Sequence, residues 1–246
     1  MKNLAYIVLF LTQLMAAQSF TKGNELYRKG NYAGAAQEYE GVLKKDKESA
    51  ELYFNLGNAY YKMNKVAPAI YNYEKALQLD PGNGDIKANL GFAHKMIIDE
   101  IKEVPNVCFS KMVDDSTSVY HHNTWPWIAV AFSALFFLLF LGYYLAGTTL
   151  LKRVFFVGMF IALLIIVDAL FSAVFTKAQE AKERPAIVFS EVVAVKTEPN
   201  AHAHDAFILH EGTKVNVLET LDNYKKVELA DESIGWIESS AIKEIK

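Results

Sequence analysis

The chain has 246 residues and a formal net charge of −3, and its hydrophobic residues, 52 % of the total, are unevenly spread. Residues 18–103 carry 12 basic and 12 acidic side chains and residues 186–246 carry 6 and 11, so neither part offers the basic stripe that a phosphate backbone requires, and no nucleic-acid partner is expected. Cys108 is the single cysteine, which excludes an internal disulfide and any multi-cysteine zinc or iron–sulfur site.

The first element is a targeting segment. Met1-Lys2-Asn3 precedes an apolar run from Leu4 to Leu11, and small residues Ala16-Ala17 stand before Gln18. One positive charge, a short apolar core and a small-residue end describe a secretory signal peptide over 1–17, with cleavage after Ala17. Met15, three residues before that point, is not small, so an uncleaved anchor is the alternative. No cysteine follows the run, and no lipoprotein anchor is expected at this end.

Residues 18–103 repeat at a spacing of 34. Ala35 and Ala69, Tyr39 and Tyr73, and the series Gly23, Gly57, Gly91 all keep that interval. Period and residue types resemble the tetratricopeptide repeat, a helix–turn–helix unit. The best copy is 50–83, with Tyr53, Leu56, Gly57 and Tyr60 in its first helix, Ala69, Tyr73 and Ala76 in its second, and Pro81 at its close. Small residues belong where paired helices cross closely, and Leu56, Tyr60 and Tyr73 fill the gaps between them. Pro68 suits the first turn of the second helix, where its missing N–H costs little. The copy before it keeps Gly23, Leu26, Tyr32, Ala35 and Tyr39. The copy after it, from Gly84 to about Lys102, offers one helix with Leu90 and Gly91, which would cap the array.

The resemblance implies an all-α array that binds peptides on the surface made by its first helices. In this register that surface presents Asn24, Tyr27 and Arg28, then Glu51, Phe54, Asn58, Tyr61 and Lys62, then Phe92, Lys95 and Met96. Tyr61 and Phe92 would otherwise pack against neighbouring helices. One family subset grips carboxyl-terminal carboxylates. Asn24 and Asn55 match positions of that clamp, but Phe20, Asp85 and Asn89 stand where its cations would be, so carboxylate clamping is not expected.

A linker over 104–124 leads to two apolar runs. Trp127–Ala146 holds no charge and Val154–Phe175 holds only Asp168. Each is long enough to cross a hydrocarbon core of ~30 Å at about 1.5 Å per helical residue. Trp125, Trp127, Tyr143 and Tyr144 sit at the ends of the first run, where amphipathic rings favour the interface. The expectation is a two-helix transmembrane hairpin, 125–146 and 154–176, joined by a loop over 147–153. Lys152 and Arg153 favour a cytoplasmic loop, while Lys177, Lys182 and Arg184 pull the other way. The signal peptide breaks the tie. It places both soluble parts outside an inner (cytoplasmic) membrane, in the periplasm of a cell with two membranes.

After the linker 177–185 the texture changes to short β-rich stretches separated by turn residues. Val195 to Pro199, Gly212-Thr213-Lys214-Val215, Tyr224 to Val227 and Gly235-Trp236-Ile237 resemble a bacterial SH3-like domain over 186–246, an all-β small barrel. Val215 and Val217 alternate as in a half-buried strand, and Gly212 suits the turn before it. Tyr224 and Trp236 are the candidate binding face, with Trp236 equally suited to the core. Lys196-Thr197-Glu198 replaces the usual Arg-Ser-Gly before the first long loop, which weighs against a peptidoglycan ligand.

Candidate chemistry is sparse. His202, His204 and Asp205 share a loop without a rigid third ligand, and His121-His122 lies beside the first apolar run. No Ser–His–Asp, phosphate-loop or HExxH pattern occurs, so no enzyme, cofactor or metal is expected. Asp168 differs, because an intramembrane carboxylate usually has a partner or a task. Ser133 on the first helix lies at a similar depth. The reading is a hydrogen bond to Ser133 or Ser172, or protonation, against pairing with a cation or hydroxyl of another membrane protein.

The whole order, signal peptide, two repeats with a cap, hairpin and SH3-like domain, resembles BatE-type proteins of the Bacteroides aerotolerance (Bat) system. That resemblance implies partners, namely membrane proteins with von Willebrand A-type domains and a MoxR-type ATPase, and a role in the envelope or in oxidative stress. The expected function is a non-enzymatic, membrane-anchored adaptor or scaffold. Its rivals are a peptidoglycan-binding envelope sensor and a regulatory subunit of a membrane enzyme.

Overall fold

The computed structural model describes residues 19–45, 47–102, 117, 120 and 123–245, with the backbone alone for 179–182. The expected signal peptide, Cys108 and His121-His122 lie outside the described residues. The chain forms two compact units, one from the segments up to 105 and from 184 onward, the other from 106–183.

The first unit begins with five helices: α1 (19–28), α2 (Tyr32–Leu43), α3 (Ala50–Lys62), α4 (Val66–Leu79) and α5 (Gly84–His94). Their starts are set locally. Asn31 caps α2 by accepting from the Gly34 N–H, Ser49 caps α3 by accepting from Leu52 N–H at 3.1 Å, and Asn83 caps α5 through Asp85 and Ile86. Glu51 in the first turn of α3 and Lys62 in its last complement the helix dipole. Helix α4 has no side-chain cap, and Pro68 in its first turn reduces the number of donors needing one.

The helices pair as the 34-residue spacing predicts. A Cβ added to Gly23 would lie 2.5 Å from the ring of Tyr39, and one added to Gly57 would lie 2.7 Å from the ring of Tyr73. Both tyrosines are wholly buried, so neither ring can yield. Around them Ala35, Leu52, Leu56 and Ala59 close one core, and Ala69, Ile70, Ala76, Ile86 and Leu90 another. Each large apolar side chain buried there contributes roughly 1.5–3 kcal/mol. Gly91 breaks the series, because a Cβ there meets no atom within 4 Å. The described chain after α5 runs without regular structure over 97–102, so no second helix of a third repeat is seen against that glycine.

The same unit contains seven strands: β1 (Pro185–Val188), β2 (Val192–Lys196), β3 (Asp205–His210), β4 (Lys214–Leu221), β5 (Tyr224–Glu228), β6 (Ile234–Glu238) and β7 (Ile242–Glu244). They form one antiparallel sheet in the order β3-β2-β6-β5-β4-β1-β7. Alternation selects the core: Val215 and Val217, Val227, Ile237, Val195 and Leu209 point to one face and are buried. A register shift between Val195 and Lys196 bulges the β2–β3 ladder at the residue that pairs with Asp205 of β3 on one side and Trp236 of β6 on the other.

Helices and sheet share a core, which the expectation of separate modules did not include. Ile187 of β1 and Ile245 belong to the apolar cluster of α4 and α5, with Phe189 packed beside them. Gly212, in the turn from β3 to β4, has φ +90°. A Cβ there would lie 2.9 Å from Val66 and 3.1 Å from Ile70 of α4. Tyr71 packs edge-on against Phe189 at 5.8 Å, and Lys214 pairs with Glu74 at 2.9 Å. The cause is the outer face of α4. Val66, Ile70 and Tyr71 form an apolar stripe, and the sheet buries it.

Among its described residues the second unit has two long helices, α6 (Thr124–Leu145) and α7 (Thr149–Lys182), packed on each other. Thr124–Leu145 and Thr149–Ala178 are long and apolar enough to cross a membrane. Ala169 of α7, with Ala173 beside it, packs against Trp125, Ile128 and Ala129 of α6, and Ala162 and Ser172 of α7 are buried as well. The connection is shorter than the loop 147–153 read from sequence: α7 starts at Thr149, and Lys152 and Arg153 belong to its first turns. Thr148 accepts from the Leu151 N–H at 3.4 Å, and helix propensity carries the leucines and the two cations along. At its far end α7 runs on through most of the stretch 177–185 read as a linker.

Candidate functional site

Helices α1, α3 and α5 are the first helices of successive repeats, and side-chain amides tie them in line. Tyr39 of α2 donates its hydroxyl to Asn24 Oδ1 at 2.7 Å, and the same oxygen accepts from Asn55 Nδ2 of α3 at 3.2 Å. One repeat later Tyr73 of α4 donates to Asn58 Oδ1 at 2.8 Å, which also accepts from Asn89 Nδ2 of α5 at 2.8 Å. The geometry recurs because both asparagine pairs are 34 residues apart, 24 to 58 and 55 to 89. Burial pushes the Tyr39 phenol up to about 12, and burial also raises that of Tyr73. Both hydroxyls therefore stay protonated and donate, which fixes the asparagine oxygens inward.

The sequence-predicted residues divide around this ladder. Asn24 and Asn58 are its acceptors and are half-buried. Tyr27 stacks edge-on against Tyr32 at 5.2 Å, and Phe54 lies 6.0 Å from the ring of Tyr73, so both are anchored to the second helices. Tyr61 is half-buried against the α4–α5 core. Arg28, Glu51, Lys62 and Lys95 are exposed, and Phe92 is 52 % exposed with the Lys95 ammonium 5.3 Å from its ring centroid. Met96 is half-buried beside them. The face is thus a row of fixed amides flanked by exposed cations and one open aromatic ring. Asn55 and Asn89 are its unforeseen members as hydrogen-bonded rungs, and their 34-residue spacing was the available signal.

On the sheet, Tyr224 and Trp236 share the face opposite the buried valines. Trp236 lies across from Lys226 on one side and Lys196 on the other, and Tyr224 lies across from Glu238. Both aromatic residues are half-buried. Trp236 is therefore not part of the core built by Val227 and Ile237. At the start of β3, Asp205 pairs with Lys196 Nζ at 2.6 Å, while His202 and His204 in the preceding loop are exposed, so the three do not converge.

Asp168 and Ser133 do not meet in hydrogen-bond contact. Ser133 donates to the Ala129 carbonyl of its own helix at 2.7 Å, and Asp168 is exposed on the surface of the hairpin. A serine hydroxyl within a helix finds the carbonyl four residues back without any rearrangement, which leaves it no proton for the carboxylate.

A TPR repeat family matches residues 23–64, and a Tetratricopeptide repeat family matches residues 50–83. The amino-terminal region thus carries tetratricopeptide repeats, a module that commonly binds other proteins and generally serves as a non-enzymatic scaffold. No curated protein matches the chain.

Proposed function

We propose that this chain is a membrane-anchored adaptor that holds an extended segment of another protein on the face of α1, α3 and α5. The asparagine ladder carries the reading. Amides locked by Tyr39 and Tyr73 at a fixed repeat present preorganised polar groups to a peptide backbone, while Arg28, Lys62, Lys95 and Phe92 supply side-chain selectivity. The two apolar helices are the anchor in the inner membrane, with the repeat array and the sheet, read as an SH3-like domain, on its external face. The partner, on the resemblance to Bat-type proteins, is a membrane protein with a von Willebrand A-type domain.

The test is photo-crosslinking in native membranes from an unnatural amino acid at Phe92 or Lys95, with Gln37 on α2 as control. Adducts with a von Willebrand A-type membrane protein from Phe92 and Lys95 alone are the expected result. Adducts independent of position, or none from that face, would overturn it. A second reading, binding of cell-wall peptides, is favoured by Tyr224 and Trp236 on the outward face of the sheet, Trp236 lying between Lys196 and Lys226. Sedimentation of the chain with purified peptidoglycan, lost in Trp236→Ala, would support it.

A further inference from the structure

Among the described residues, Asp168 of α7 makes no hydrogen bond or ion pair. Asp168 lies seven residues inside Phe175, the end of the apolar run, or ~10 Å by helical rise, which is well within a ~30 Å hydrocarbon core. It stands off the seam of small residues that packs against α6, and its side chain is exposed. Ser133, the expected donor on the other helix, is committed to Ala129. Lys177, the nearest basic residue along the helix, is nine residues away, ~13 Å of rise, and Lys152 is sixteen residues away in the other direction. Among the described residues of the two apolar stretches, no cation lies near its depth.

Its surroundings on that face are apolar. Leu164 and Phe171, one helical turn to either side of Asp168, are 55 % and 56 % exposed, and Phe171 stacks on Phe175 at 5.8 Å. The face is an apolar stripe with one acid at its centre. A carboxylate in hydrocarbon is retained where a partner neutralises it. A carboxylate only accepts hydrogen bonds, so the partner must donate, and a cation both donates and cancels the charge. A second copy packed in parallel would instead bring acid to acid at equal depth, where both cannot be ionised.

We infer that the Asp168 face of α7 is a docking surface for a transmembrane helix of another protein that carries one lysine or arginine at the depth of Asp168. The inference rests on the membrane reading above.

The experiment uses the full chain, labelled with a fluorescent donor at its single cysteine, in phosphatidylcholine vesicles. Two acceptor-labelled synthetic helices of leucine and alanine are added, one with a lysine seven residues inside one end of its apolar stretch and one with leucine there. Energy transfer should report binding of the lysine helix at least tenfold tighter than the leucine helix. Asp168→Glu should keep that preference, and Asp168→Asn and Asp168→Leu should lose it. Equal transfer with both helices, a preference that survives in Asp168→Leu, or self-association that depends on Asp168 would overturn the docking surface. Carbonate extraction separates the two levels. A chain released from the vesicles would end the membrane reading and the docking surface together, whereas a retained chain without preference would end the docking surface alone.

Discussion

The carboxylate of Asp99 and the imidazole of His210 join the repeat array to the sheet. Asp99 Oδ1 lies 2.6 Å from His210 Nδ1, while Asp99 Oδ2 accepts from the His210 N–H at 2.8 Å and from the Thr213 hydroxyl at 2.6 Å. Burial alone would raise this carboxyl. The hydrogen bonds from Thr213 and from the backbone and ring of His210 outweigh it and hold Asp99 below its ordinary value.

That sign fixes a pH dependence. A carboxyl depressed in the folded state stabilises the protein above the unfolded value of about 3.9, and the contribution is lost as pH falls through the depressed value. Asp99→Asn should cost about 1–3 kcal/mol at neutral pH, because donors aimed at a carboxylate lose their charged acceptor. Thermal unfolding of the full chain in detergent should show that gap closing as pH falls below about 4. A gap that stays constant to pH 2 would mean the bonds at Asp99 carry no stability.

Two glycines at equivalent positions should answer substitution oppositely. Gly57→Leu drives atoms into the buried ring of Tyr73 and should cost roughly 1–3 kcal/mol. Gly91→Ala enters open space on α5 and should gain about 0.5–1 kcal/mol from the lower entropy of its unfolded state. At roughly 2–4 °C per kcal/mol the two melting shifts should differ in sign.

Gly212 should be intolerant for two reasons at once. Its φ of +90° disfavours any side chain, and a Cβ would meet Val66 and Ile70. Gly212→Ala should therefore loosen the sheet from α4 by about 1–3 kcal/mol. Limited proteolysis should then cut within 97–102 faster than in the parent, with the strands still protected. Unchanged cleavage would show that the turn does not secure the joint.

Topology can be read with a reporter active only outside the cytoplasm. Fused after Lys246 it should work, and inserted at Gly147, in the short connection between α6 and α7, it should not. An insertion at Leu151 would break α7 itself, since that residue is already helical. The reverse pattern would overturn the external placement of the repeat array and the sheet.

Much of this molecule was legible along the chain because its signals are local. A 34-residue period places Gly23 over Tyr39 and Gly57 over Tyr73, since a helix crossing demands a small residue opposite a large one wherever it recurs. Composition likewise marked α6 and α7 as apolar helices, and alternation marked Val215 and Val217 as the buried side of a strand. What tertiary structure decided lies between segments distant in sequence. Asp99 and His210 are 111 residues apart, and neither belongs to a period or a motif, so their pairing exists only once the sheet has covered the apolar stripe on α4. The same holds for Asp168. Its position in an apolar run was plain from the sequence, but its facing away from α6, with Ser133 turned to its own helix, follows from how small residues let two helices approach.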